Sequence, residues 1–449
     1  MARPRTPAAH WSETPLARMF GPVQHFASQS QSGGIMLFLM TLVALGLANS
    51  PLAGAYHALL ELHVGISIGP WAIEESLLYW INDGLMAIFF FVVGLEIKRE
   101  LLVGELATLR AAALPIIAAC GGALVPAAIY ALANAGGVGA SGWGVPMATD
   151  IAFALGCLAL LGSRIPFALK IFVTAVAIVD DLIAVLVIAI FYSSDLRVGA
   201  LAAGLAILLL LVGCNWQGIR NPLVYSVLGV LMWLAFLQSG VHATIAGVLI
   251  ALAIPARYRI DAPTFHWRAH ALLNTFDPLA GLSAPMLTDD RQQHAVLALE
   301  GLCEQVQAPL QKLEHQLQGW VTWLIMPVFA LANAGIALNT VRLDAESLPM
   351  ALGVVVGLVC GKPLGLLGAT WLAVRSGRAE LPQVVSWGAM VGAGVLAGIG
   401  FTMSIFIATL AFQAPDVLAT IKLAILVASL LAGALGVMLL RRLPADLAG

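Results

Sequence analysis

Long apolar runs, interrupted only briefly by polar residues, dominate this chain from Gly33 to Leu440 and leave few folds open to it. A membrane-spanning helix needs roughly 20 apolar residues. About twelve runs approach that length, at approximately 34–49, 77–97, 112–133, 143–162, 167–192, 199–214, 222–237, 240–255, 319–338, 347–373, 384–411 and 418–440. None alternates apolar with polar residues as a barrel strand does, so helices are what can satisfy this backbone in lipid. Composition agrees, with 60% hydrophobic and 10% charged residues, where globular domains hold about 45–50% and 25%. The sequence therefore predicts an all-α polytopic membrane protein with about twelve transmembrane helices. A net charge of −2 without a basic face excludes a nucleic-acid binder. The 5 cysteines show no CxxC pairing and read as small buried hydrophobes.

Charge supplies the orientation. Of the 22 Lys and Arg, all but Arg197, Arg342, Lys422 and the intramembrane Lys362 fall on one set of sides. The positive-inside rule then places both termini in the cytoplasm. The expected organisation is a cytoplasmic amino-terminal segment at 1–32, spans one to eight over 33–255, a cytoplasmic loop at 256–318, spans nine to twelve over 319–442, and a tail at 443–449. Residues 51–75 hold no Lys or Arg, mix Gly and Pro with apolar residues, and suit a short external hairpin. The 256–318 loop carries Leu299, Leu302, Val306, Leu310, Leu313 and Leu317 at three- and four-residue steps, which predicts an amphipathic helix on the membrane or on the inner face of the protein. No phosphate-binding glycine loop is present, which argues against an ATP-driven pump.

An ionisable group in hydrocarbon costs several kcal/mol, so each one there needs a partner or a purpose. Asp180 and Asp181 lie in the fifth span, about 20 Å along it from Phe167. Neighbours on a helix point about 100° apart, so one can face a cation path while the other meets a different helix. In the fourth span, Pro146 weakens the helix just before Thr149 and Asp150, whose oxygens suit hard cations. Asp150 can equally cap a half-helix, and the two roles are compatible. The eleventh span is broken by Gly392, Gly394, Gly398 and Gly400. Interrupted helices far apart in sequence point to a transporter with inverted repeats, here spans 3–5 and 10–12. Lys362 sits near mid-depth in the tenth span and should pair with a carboxylate or lose its proton, with Asp180 or Asp181 the natural partner. Glu96 reads equally well as an interfacial anchor, Asp83 as a cap, and His242 as a hydrogen-bonding group that titrates near neutrality.

Six motifs in order carry a family resemblance: Gly94-Leu-Glu-Ile-Lys-Arg-Glu100, Ala148-Thr-Asp-Ile-Ala-Phe-Ala154, Ala177-Ile-Val-Asp-Asp-Leu182, Ser239-Gly-Val-His-Ala-Thr244, Gly361-Lys-Pro-Leu-Gly365 and Gly398-Ile-Gly-Phe-Thr-Met-Ser-Ile-Phe-Ile407. Over about residues 33–442 the chain resembles the NhaA-type bacterial sodium/proton antiporters. The resemblance implies discontinuous fourth and eleventh helices crossing at mid-membrane, and electrogenic, pH-regulated export of Na⁺ or Li⁺ for about two H⁺ across the bacterial inner membrane. It implies no cofactor. It makes Asp181 the principal cation and proton ligand, Asp180 its partner near Lys362, and Thr149 and Asp150 neighbours at the crossing. Asp150 and Lys362 would neutralise facing half-helix dipoles. Glu96 and Glu314, with His242, are the implied pH-sensing groups, and 51–75 the implied homodimer contact. The 256–318 loop departs from compact members, whose eighth and ninth helices are joined more closely. Two other classes compete with this expectation: an intramembrane aspartyl hydrolase, whose Gly-x-Gly-Asp signature is absent, and a cation channel.

Overall fold

A computed structural model of the protein describes residues 32–68, 71–193, 195–274, 290–342, 344–382 and 385–443. The segment 1–31, the middle of the 256–318 loop and the tail beyond Leu443 lie outside the described residues. In chain order the elements are α1 Ser32–Ala48, α2 Ala53–Leu60, β1 His63–Ile68, β2 Trp71–Ser76, α3 Leu77–Val103 and α4 Leu109–Ala133. A 3-10 helix, Val138–Met147, precedes α5 Ile151–Leu160, followed by α6 Phe167–Phe191, α7 Val198–Trp216, α8 Pro222–Leu237 and α9 Thr244–Ala253. Then come α10 Ala262–Leu273, α11 Asp290–Val306, α12 Pro309–Trp320, α13 Met326–Asn333, α14 Ser347–Arg375, α15 Trp387–Leu396, α16 Phe401–Ala411 and α17 Pro415–Arg441.

Among the described residues, 6 helices are long and apolar enough to cross a membrane unaided: α3, α4, α6, α7, α14 and α17. Three further apolar pairs are bent at short breaks. These are α1 with α2 (113°), the 3-10 helix with α5 (43°), and α15 with α16 (45°). The shorter α8 and α9 are also apolar. The chain is thus a polytopic, helical membrane protein. Its only sheet among the described residues is the β1–β2 hairpin, antiparallel in the register His63↔Ser76 to Ile68↔Trp71.

The chain divides into two compact units. The first takes in the described residues within Met1–Leu78, Leu109–Ala184 and Thr322–Gly449. Its tightest helix pair is α4 with α14. Gly121 and Gly365 approach so closely that a methyl group on either would collide with the other's carbonyl. Small residues are what allow backbones to close up in this way where lipid supplies no hydrophobic drive. α2 is fastened by Tyr56, whose hydroxyl donates to the Leu331 carbonyl at 2.7 Å.

The second unit comprises Tyr79–Thr108 and Val185–Val321. Here α9 packs along α3, and α12 packs against α3 as well. Lys98 on α3 donates to the Leu252 and Ile254 carbonyls at 2.6 and 2.5 Å, closing the end of α9. The amphipathic stretch read from Leu299 to Leu317 is two helices, α11 and α12, because Pro309 stands at the first helical position of α12 and cannot continue α11. Leu302 and Leu310 are its buried members.

Candidate functional site

The first unit buries an ionic cluster where two of its three broken helices meet. The first break comes after Met147, where Ala148 to Asp150 run extended between the 3-10 helix and α5. The second is Ala397–Gly400, between α15 and α16. A backbone bond joins them directly, for the Asp150 amide donates to the Ile399 carbonyl at 2.7 Å. Gly398 lets the second break lie close against α14: a methyl there would strike the Leu358 carbonyl. Pro146, one residue before the end of the 3-10 helix, has no amide to donate, so the last turn before the break lacks one backward hydrogen bond.

Asp150 joins the two breaks electrostatically. Its Oδ1 accepts from the Phe153 amide at 3.0 Å, capping α5. Its Oδ2 accepts from the Thr402 amide at 3.1 Å and from the Thr402 hydroxyl, capping α16. One buried carboxylate thus faces two helix N-termini, whose partial positive charge favours an anion there. The α16 end has a second cap, the Ser429 hydroxyl oxygen, which accepts from the Phe401 amide at 3.1 Å. Ser404 donates to the Val145 carbonyl at 2.8 Å, satisfying the opposite, carbonyl end of the 3-10 helix.

Asp180 stands on α6 beside the first break. Lys362 Nζ lies 2.7 Å from Asp180 Oδ2, and both side chains are completely buried. Lys362 follows the π-helical turn Gly357–Gly361 inside α14, which turns the ammonium toward the break. It also donates to the Met147 carbonyl, the last of the 3-10 helix. Thr149 adds a third contact, its hydroxyl reaching Asp180 Oδ2 at 2.7 Å and the Ala397 carbonyl at 2.9 Å. A hydroxyl has one proton, so while Asp180 is ionised Thr149 can donate to only one of the two. If Asp180 holds a proton it donates to Thr149, and Thr149 is released to donate to Ala397. Asp180 Oδ1 is buried with no hydrogen-bond partner among the described residues, which is costly unless another species completes it. Asp181, next on the helix, is 1% exposed. A small void of about 10 Å³ adjoins the cluster, with Thr149 as its polar wall among Phe172, Val176, Leu366 and Ala393.

The structure therefore brings Asp180, Lys362 and Thr149 into contact and sets Asp150 against Thr402. Thr402 and Ser429 were not singled out from sequence as partners. The Thr402 contact crosses 252 positions and the Ser429 contact 28, so neither leaves a local signal.

A second polar cluster lies in the other unit. Arg99 bridges Glu314 on α12 at 2.8 Å and Glu100 at 2.9 Å. Glu96 precedes this pair by one turn of α3, close enough along the helix to interact. Burial lifts the Glu314 carboxyl above the usual range, with Arg99 opposing that rise. His242 belongs to a different constellation. The sequence puts it inside an eighth span, but it occupies the turn before α9, with Nδ1 3.4 Å from Asp83. The cysteines divide too. Cys157 and Cys214 are buried, whereas Cys120 and Cys360 are exposed, which corrects the expectation of buried hydrophobes for those two.

Known proteins place this geometry in context. The profile of the family described as Na⁺/H⁺ antiporter 1 matches residues 24–440. The chain is 51% identical over 427 residues to the Na⁺/H⁺ antiporter NhaA of Oleidesulfovibrio alaskensis, covering 95% of each chain. It is 47% identical over 443 residues to Na⁺/H⁺ antiporter NhaA 1 of Saccharophagus degradans, covering 98% of this chain and 95% of that one. It is 48% identical over 428 residues to the Na⁺/H⁺ antiporter NhaA of Koribacter versatilis, covering 95% of this chain and 93% of that one.

Proposed function

The chain belongs to the Na⁺/H⁺ antiporter 1 family, a family of transporters rather than enzymes, and from that premise we propose that it is an electrogenic, pH-regulated exchanger that exports Na⁺ or Li⁺ for about two H⁺. In this proposal the chain crosses the bacterial inner membrane about twelve times with both termini cytoplasmic. The third to fifth and tenth to twelfth spans form inverted repeats, and the broken fourth and eleventh spans cross at mid-depth. It assembles as a homodimer through 51–75, and its exchange serves pH homeostasis and salt tolerance.

The observation that carries the proposal is the completely buried Asp180–Lys362 pair against Thr149. Burying two charges is costly, and a chain gains nothing by placing a carboxylate oxygen without a partner there unless that oxygen works. Asp181 and Asp180 bind either protons or one Na⁺, with the Thr149 hydroxyl as an auxiliary oxygen ligand. A hard cation suits such oxygens. Loading Na⁺ requires the carboxylates to be ionised, so cation and protons compete for the same atoms, and exchange follows without any covalent chemistry. Asp150 and Lys362 hold the two breaks together through either loading state, because they answer opposite ends of the half-helix dipoles. Glu96 and Glu314 report pH on the cytoplasmic side, Glu314 bridged to Arg99, with His242 beside Asp83 a further pH-sensing group.

Family membership disfavours the aspartyl hydrolase and channel alternatives. Proteoliposomes separate all three. An outward Na⁺ gradient should drive H⁺ in the opposite direction, at a rate that responds to membrane potential. Peptide cleavage without ion movement, or Na⁺ current without H⁺ movement, would refute exchange.

A further inference from the structure

The long connection after α9 carries an amphipathic helix whose outward side is unlike a solvated loop. On α10, Phe265, Ala269 and Leu272 recur at four- and three-residue steps and turn inward against α11. The opposite side presents Pro263, Trp267 and Ala271, all exposed, with Arg268 beside them. Trp267 is 72% exposed, and Tyr258, just ahead of the helix, is 63% exposed. Arg257 and Arg259 flank Tyr258 and are exposed as well. Asp261 is the one carboxylate in this stretch, and it is occupied in capping α10, accepting from the Thr264 amide at 3.2 Å.

We propose that the segment from Arg257 to Leu273 is a docking surface for the anionic lipid headgroups of the leaflet from which α9 emerges. This rests on the transmembrane reading of α9 given above. Two features select lipid as the occupant. Indole and phenol rings carry an apolar body and a polar tip, which suits them to the headgroup level of a bilayer. The arginines complement an anionic surface, to which each adds about a fivefold gain in partitioning. The tether fits the same occupant. Residues 254–261 reach no more than about 30 Å from the end of α9. They are also held to the α11–α12 junction, because the Pro255 carbonyl accepts from the Leu310 amide at 3.2 Å and the Arg259 amide donates to Gln305 at 2.9 Å. The insertion thereby becomes a lipid-sensing flap, joined through α12 to the helix that carries Arg99.

Hydrogen exchange of peptides covering 257–274 tests this in the full-length protein, in nanodiscs of phosphatidylcholine alone or mixed with phosphatidylglycerol. The anionic lipid should slow exchange there. The variant Arg257→Gln/Arg259→Gln/Arg268→Gln should lose that lipid-dependent slowing by on the order of a hundredfold, and Trp267→Ala should weaken protection in both disc types. Brominated lipid should quench wild-type fluorescence more than that of Trp267→Phe. Equal exchange in detergent and both discs overturns the proposal, as does an undiminished lipid effect in the triple variant. Protection that follows protein concentration instead of lipid composition would assign the surface to a second copy of the chain. Na⁺-driven H⁺ movement, measured on the same protein, reads the transport proposal separately, since lipid docking can fail while exchange persists.

Discussion

Replacing Lys362 by Met keeps most of the aliphatic stem while removing the ammonium, and so isolates the charge of the pair with Asp180. The two groups are 2.7 Å apart and completely buried. Breaking such a pair destabilises by about 3–5 kcal/mol. The Met147 carbonyl loses its donor in the same step, a separate penalty of about 1–3 kcal/mol. Proton uptake by the isolated carboxylate limits the first part, so the net loss should stay near 3–5 kcal/mol at neutral pH. For a chain of this size each kcal/mol corresponds to roughly 1–2 °C, and Lys362→Met should melt about 3–10 °C below the parent. Adding Asp180→Asn removes the orphaned charge of the pair and preserves an acceptor for Thr149, so only the Met147 deficit remains. The double variant should therefore regain about 2 kcal/mol over Lys362→Met alone. Melting of the four proteins in one detergent, followed by tryptophan fluorescence, completes the cycle. A double variant no more stable than Lys362→Met would show that the two residues are not energetically coupled, and the division of labour between Asp180 and Asp181 would have to be reversed.

Further outcomes follow from the same geometry. Asp181→Asn should abolish exchange while leaving expression and insertion intact, because a neutral amide is cheaper in lipid than a charge; undiminished Na⁺-driven H⁺ flux in that variant would remove Asp181 from the site. With one net charge moving inward per cycle, 100 mV should shift the attainable Na⁺ gradient by about 2.3 kcal/mol, or roughly fiftyfold, and a gradient indifferent to valinomycin-clamped potential would exclude that stoichiometry. Glu314 is raised by burial, so its folded environment favours the protonated form. Its contribution to the docking of α12 is then complete below the ordinary carboxylate range and lost as pH climbs through the raised value. Hydrogen exchange in Pro309–Trp320, corrected for intrinsic rate, should quicken across that window, and Glu314→Gln should flatten the response. Thr149→Val removes the hydroxyl shared by Asp180 and Ala397 at nearly constant volume, and should weaken Na⁺ affinity while Thr149→Ser retains it.

Much of this architecture was legible because lipid imposes so few solutions. Apolar length marked the helices. Pro146 and the glycines around Gly398 marked two breaks, since both residue types disrupt the regular bonding that a membrane helix otherwise needs. The need of a buried ammonium for a counter-charge pointed from Lys362 to the Asp180–Asp181 pair, although residue types alone left open which aspartate it meets. What stayed hidden is non-local or has no counterpart in apolar periodicity. The double cap of Asp150 depends on Thr402, which the sequence places in a motif but cannot aim at a carboxylate 252 positions away. Exposed Cys120 and buried Cys157 sit in equally apolar surroundings, because the lipid-facing side of a helix is as apolar as its packed side. His242 shows the limit at helix ends: hydropathy carried the eighth span through a residue that the chain leaves in a turn against Asp83.

The central claim is that Na⁺ and protons compete for the same buried carboxylates, and proton release on cation binding tests it without membranes, gradients or turnover. Purified protein in weakly buffered detergent, at a pH where the site holds protons, is titrated with Na⁺ while a pH indicator follows the medium. The account predicts release of about two protons per Na⁺ bound, saturating with Na⁺, reproduced by Li⁺, absent with choline, and abolished in Asp181→Asn. Na⁺ binding without proton release, or equal release from the Asp181→Asn variant, would contradict it.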